Sequence, residues 1–94
     1  MGIHEIRNEI AQIDAEIVEL IRKRQSLAGK IAHEKVKAGR PPVDPEQRDQ
    51  VIGRAVETAV ELGIDPAGVR EIFTYLVRMS EDKQRGCMGD GNLP

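Results

Sequence analysis

The sequence predicts an all-α fold of three helices, one long and two shorter, assembled as an intertwined homodimer. Two observations predict the helices. Apolar residues from Ile3 onward recur at steps of three and four, and the dipeptide Asp-Pro occurs twice where a helix would begin, at Asp44-Pro45 and Asp65-Pro66. The third observation is a mismatch of size that predicts the dimer. At about 1.5 Å per residue the first helix would span about 50 Å, longer than a domain of 94 residues is wide.

That first helix is expected from Ile3 to Lys37, a run without proline whose single Gly29 weakens a helix without stopping it. Its apolar positions, Ile3, Ile6, Ile10, Ile13, Ile17, Leu20, Leu27 and Ile31, form a heptad seam. The seam calls for an apolar residue at position 24, and Arg24 stands there. A guanidinium on a buried seam needs an anionic partner, because leaving it unpaired costs several kcal/mol. The partner is either a carboxylate such as Glu57 or Glu71, or a bound anion.

Gly39 supplies a C-terminal cap, and Pro41 and Pro42 forbid continuation. Asp44 then acts as N-cap with Pro45 at the first helical position and Gln47 three residues after the cap. The second helix runs to Leu62 with Val51, Ile52, Ala55, Val56, Ala59 and Val60 on one face, and Gly63 closes it. The third opens at Asp65-Pro66 and continues to about Gln84. Its stripe of Val69, Ile72, Phe73, Leu76 and Val77 extends onto two neutral polar residues, Ser80 and Gln84. The segment after it has no periodicity, so residues 1–85 are expected to be the folded domain and 86–94 a disordered tail.

Composition excludes several function classes. Fourteen basic and sixteen acidic residues are spread along the chain, which gives no support for nucleic-acid binding. No apolar run reaches membrane-spanning length and the N-terminus has no signal-peptide core, so a reduced, cytoplasmic protein is expected. A lone Cys87 makes no internal disulfide, and one Cys with two distant His, His4 and His33, makes no metal site. Phe73 and Tyr75 are the only aromatic residues, so burial falls to Ile, Val, Leu and Ala.

Helices two and three together match the length of the first and could line one side of it end to end. That leaves a thin core, and a long seam left partly uncovered is normally closed by a twofold partner. The polar residues at inward positions then acquire a second meaning. Arg24 and Lys35 lie about 16 Å apart along the helix axis, close enough for two long side chains to converge on one small ligand. Arg7 is about 25 Å from Arg24 and reaches that ligand only from an antiparallel partner. Each has a plainer reading. Arg24 could close an interhelical ion pair, Lys35 and Arg7 could be a solvated helix flank, Ser80 and Gln84 could mark the end of the core, and Asp14 and Asp44 could serve structure alone. Together, inward cations and neutral hydrogen-bonders without a His, Cys or carboxylate pair suit a dianion whose reaction needs placement and electrostatics, not hydrolysis.

Residues 6 to 84 resemble the all-helical class of chorismate mutases. The elements are Ile6-Arg7 with Ile13-Asp14, then Arg24, Lys35, the Arg40-Pro41 to Asp44-Pro45 loop, and Phe73 followed by Ser80 and Gln84. The resemblance implies a domain-swapped dimer with two sites and no cofactor, rearranging chorismate to prephenate in phenylalanine and tyrosine biosynthesis. It implies that Arg7 of the partner, Arg24 and Lys35 hold the two carboxylates with help from Ser80, and that Lys35 and Gln84 donate to the ether oxygen. It also implies that the backbone at Asp44 and an acid after it hold the ring hydroxyl. The family places an arginine three residues after this aspartate and an acid next, where this chain has Gln47, Arg48 and Asp49. Either Gln47 and Arg48 occupy those places, or an extra loop residue puts Arg48 and Asp49 there. An isochorismate-pyruvate lyase on the same fold and a non-catalytic helical dimerisation module remain the alternatives.

Overall fold

The computed structural model describes residues 2–89 and contains three α-helices among them: α1 (Ile3–Ala38), α2 (Pro45–Leu62) and α3 (Pro66–Met88). The punctuation works as the residue types dictate. Asp44 accepts a hydrogen bond from the Gln47 N–H at 3.2 Å and Asp65 from the Ala67 N–H at 3.1 Å, each with proline opening the helix behind it. Gly39 ends α1 in the left-handed region at φ 66°.

One boundary differs from expectation. α3 runs through Gly86 to Met88, and its left-handed cap is Gly89 at φ 90°. A glycine inside a helix costs about 1 kcal/mol relative to alanine but does not end it. Residues 86–88, expected in a disordered tail, therefore belong to α3, and residues 90–94 of that segment lie outside the described residues.

α3 is the element that joins the other two, packing on α1 along one side and on α2 along another. Among the described residues α1 and α2 do not pack on each other, so the expected end-to-end lining of α1 by both shorter helices is not formed. The face of α1 that meets α3 is built on Ala28 and Ala32, 2% and 0% exposed, whose small side chains let the helix axes approach closely. Contacts from Arg24 to Leu76 and from Lys35 to Gln84 show α1 and α3 running in the same direction. The pair Arg48–Glu81 ties the start of α2 to the end of α3, so those two are antiparallel.

The core is thin: Ala28, Ala32, Ile52, Ala59 and Val77 are its buried apolar residues. The heptad seam lies elsewhere. Ile3, Ile6, Ile10, Ile13, Ile17, Leu20, Leu27 and Ile31 are 43–69% exposed, and every described residue up to Leu20 is exposed. The chain measures 54 × 26 × 19 Å with a radius of gyration of 16.5 Å. A compact chain of this length would have about 12 Å. No helix among the described residues is long and apolar enough to cross a membrane.

Candidate active site

A cavity of about 460 Å³ opens where the C-terminal half of α1, the start of α2 and the end of α3 come together. Helical spacing on α1 brings Arg24 and Lys35 to its wall, flanking Ala28 on the α3-facing stripe. The turn after α1 adds Arg40, Pro42 and the capping Asp44, and the first turn of α2 adds Gln47 and Arg48. On α3 the core stripe ends at Val77, and the next turn delivers Ser80, Glu81 and Gln84. Leu27, Ile31, Val51 and Val77 supply the apolar surface between these groups.

The polar groups are tied to one another. Lys35 Nζ donates to the Pro42 carbonyl at 2.8 Å and to Gln84 Oε1 at 2.7 Å. An ammonium only donates, so it fixes the Gln84 amide with oxygen toward Lys35 and Nε2 away from it. Nε2 lies 3.4 Å from Ser80 Oγ. Gln84 is only 6% exposed, the one buried polar residue among those described. After these bonds one N–H of Lys35 and one of Gln84 remain for a ligand.

The charges sort equally clearly. Arg40 pairs with Asp44 at 3.1 Å and Arg48 with Glu81 at 2.9 Å. Arg24 and Lys35, the other two cations lining the cavity, have no carboxylate partner among the described residues. Arg24 donates to the Leu76 carbonyl at 3.1 Å and forms no ion pair with Glu57 or Glu71, both exposed. Burial lowers the Arg24 pKa from its ordinary value, the mark of a cation paying for desolvation without a counter-charge.

Of the residues singled out from the sequence, Arg24, Lys35, Asp44, Gln47, Arg48, Ser80 and Gln84 are gathered in this one cavity. Asp49 is not: it is exposed and does not line the cavity, whereas Gln47 and Arg48 do. Arg7 stands on the exposed half of α1, away from its own chain's cavity. Two lining residues were given no site role by the sequence reading. Arg40 looked like part of a helix terminator, and Glu81 sits beside Ser80. The step of four from Val77 lands on Glu81 as surely as the step of three lands on Ser80, and that spacing was the available signal.

An all-helical pocket with two uncompensated cations beside a fixed amide has the chemistry to hold a small organic anion. A family model described as chorismate mutase type II matches residues 6–85. The chain is also 33% identical over 81 residues to the chorismate mutase of Methanocaldococcus jannaschii, covering 86% of this chain and 82% of that one. The chain belongs to the chorismate mutase type II family, and its enzymatic class is that of an isomerase.

Proposed function

We propose that this chain rearranges chorismate to prephenate in a site completed by Arg7 of a second copy. The observation that carries the reading is the charge sorting of the cavity. Asp44 and Glu81 pair with two of its four cations and leave Arg24 and Lys35 to meet the two carboxylates of a dianion.

The reaction is unimolecular. The ether carbon–oxygen bond breaks as a new carbon–carbon bond forms between the enolpyruvyl carbon and the ring, with no proton transferred and no covalent intermediate. Two requirements fall on the protein. It must hold the flexible substrate in its folded, diaxial conformer, which cations clamping both carboxylates achieve by fixing a near-attack geometry. It must also stabilise the negative charge that grows on the ether oxygen, because that bond breaks ahead of the one being made. The free N–H of Lys35 and that of Gln84 are the donors for this charge, and their mutual bond at 2.7 Å orients both before substrate arrives. Arg24 and the partner's Arg7 take the carboxylates with Ser80 assisting, and the Lys35 ammonium adds its positive charge to the attraction.

The homodimer is supported by what a single chain leaves uncovered. Most helical stability in proteins comes from packing an apolar face, and the first half of α1 carries six large apolar side chains on one exposed face. A second, largely apolar groove of about 620 Å³ runs between α2 and α3, lined by Val51, Ala55, Leu62, Val69 and Phe73 and reaching Arg24. Arg24 and Val51 border both this groove and the site, so the first half of a partner's α1 lying here would carry its Arg7 toward the substrate.

The test is a side-by-side assay of chorismate and isochorismate with the purified chain. Conversion of chorismate to prephenate with little release of pyruvate from isochorismate is the expected result. The reverse preference would make the chain a lyase, and no turnover of either would leave a dimerisation module.

A further inference from the structure

Asp44 and Glu81 are the carboxylates that line the cavity, and they are occupied to different degrees. Asp44 is spent: Oδ1 accepts the Gln47 N–H and Oδ2 accepts Arg40 Nη2. Glu81 is half used. Its Oε2 accepts Arg48 Nε at 2.9 Å, while Oε1 accepts no hydrogen bond from the described residues. Arg48 is likewise anchored through Nε alone, and its two Nη groups make no hydrogen bond within the described residues. The Glu81 side chain is 14% exposed, against 38% for Arg48, so the carboxylate is the more enclosed member of the pair.

We infer that Glu81 is the specificity-determining residue for a hydroxyl group on the dianionic substrate, accepting its proton at Oε1 while Arg48 Nη donates to its oxygen. The inference rests on the dianion reading of the site and deepens it. An anionic acceptor in a cavity built for an anion opposes binding unless the ligand brings a donor to it. A carboxylate serving only to join α2 to α3 would do so less well than an apolar pair of the same volume. A hydroxyl satisfies both partners at once, because it donates one hydrogen bond and accepts another. Position supports the same reading. Glu81 lies one turn before Gln84 on α3, so the acceptor for the hydroxyl and the donor for the ether oxygen are carried one above the other on a single rigid helix. A ring bearing an ether and a hydroxyl on neighbouring carbons would present one group to each.

A site built to hydrogen-bond a hydroxyl discriminates strongly against the analogue lacking it, since the polar groups are then left unpaired. The experiment is calorimetric titration with a non-reacting pair: a bicyclic dianion that mimics the transition state, and the same compound without its hydroxyl. The intact chain is expected to bind the hydroxylated compound about 10- to 100-fold more tightly, the range for a hydrogen bond to a charged acceptor. In Glu81→Ala that ratio falls to about 1, through weaker binding of the hydroxylated compound alone. Glu81→Leu, which restores the lost volume, gives the same ratio and controls for loss of fold, with circular dichroism reporting helix content. An equal weakening of both compounds in both variants overturns the inference and leaves the dianion site standing. Failure of the intact chain to bind either compound overturns the dianion reading and the inference with it.

Discussion

Replacing Lys35 with alanine removes one donor and releases another. Of the three ammonium N–H groups, two are engaged by Pro42 and Gln84, which leaves one on a side chain that lines the cavity. Losing one preorganised donor to a developing oxyanion lowers kcat by about 10²–10³-fold, or about 2.7–4 kcal/mol. The variant also strips Gln84 Oε1 of its partner at a buried position, which costs about 1–3 kcal/mol unless water enters or the amide turns over. If the amide turns, its Nε2 leaves the ether oxygen and the second donor is lost as well. The expected outcome is therefore a kcat lowered by at least about a hundredfold, with a smaller change in KM because Arg24 still holds a carboxylate. Lys35→Ala combined with Gln84→Ala should lose much less than the product of the two single losses, since the residues act as a unit. A continuous absorbance assay following loss of the chorismate diene measures both. A kcat for Lys35→Ala within threefold of the parent chain, or strict additivity in the double variant, would refute the reasoning.

Three further outcomes follow from the same geometry. Mixing Arg7→Ala chains with Arg24→Ala chains, each nearly inactive alone, should restore about a quarter of the sites, because half the re-formed dimers are mixed and each holds one intact site; no recovery after verified chain exchange would argue against a shared site. Ile13→Asp places a charge in the middle of the exposed seam, and sedimentation should show a mass near the 10.4 kDa of one chain, with reduced helix content, where the parent should sediment at about twice that. Asp44→Ala removes the cap on α2 and the partner of Arg40, and should lower stability by about 1 kcal/mol in thermal unfolding.

The helices were legible because their ends are written in single residues. Asp44-Pro45, Asp65-Pro66 and Gly39 impose local conformations that no packing needs to ratify. The partners of each helix were less legible. The eye goes to Ile and Leu, and these form the seam that α3 does not cover. The face that α3 does use is marked by Ala28 and Ala32, whose small size carries almost no signal in a sequence. The end of α3 was misjudged for a related reason. Gly86 and Gly89 are the same residue type, and only the backbone distinguishes a helical glycine from a capping one. In the site, Arg24, Lys35, Ser80 and Gln84 come together at the expected helical spacings, while the pairing of Arg48 with Glu81 depends on two antiparallel helices meeting at a given height. Periodicity within one helix does not encode that height.

The exposed first half of α1 has a consequence for behaviour in dilute solution. If a second copy buries this apolar face, as proposed, the folding of one chain is tied to the abundance of all the others. Specific activity would then be a function of concentration, falling on dilution faster than the number of chains, and thermal midpoints would rise as more protein is loaded. Expression level would set the output per molecule as well as the number of molecules.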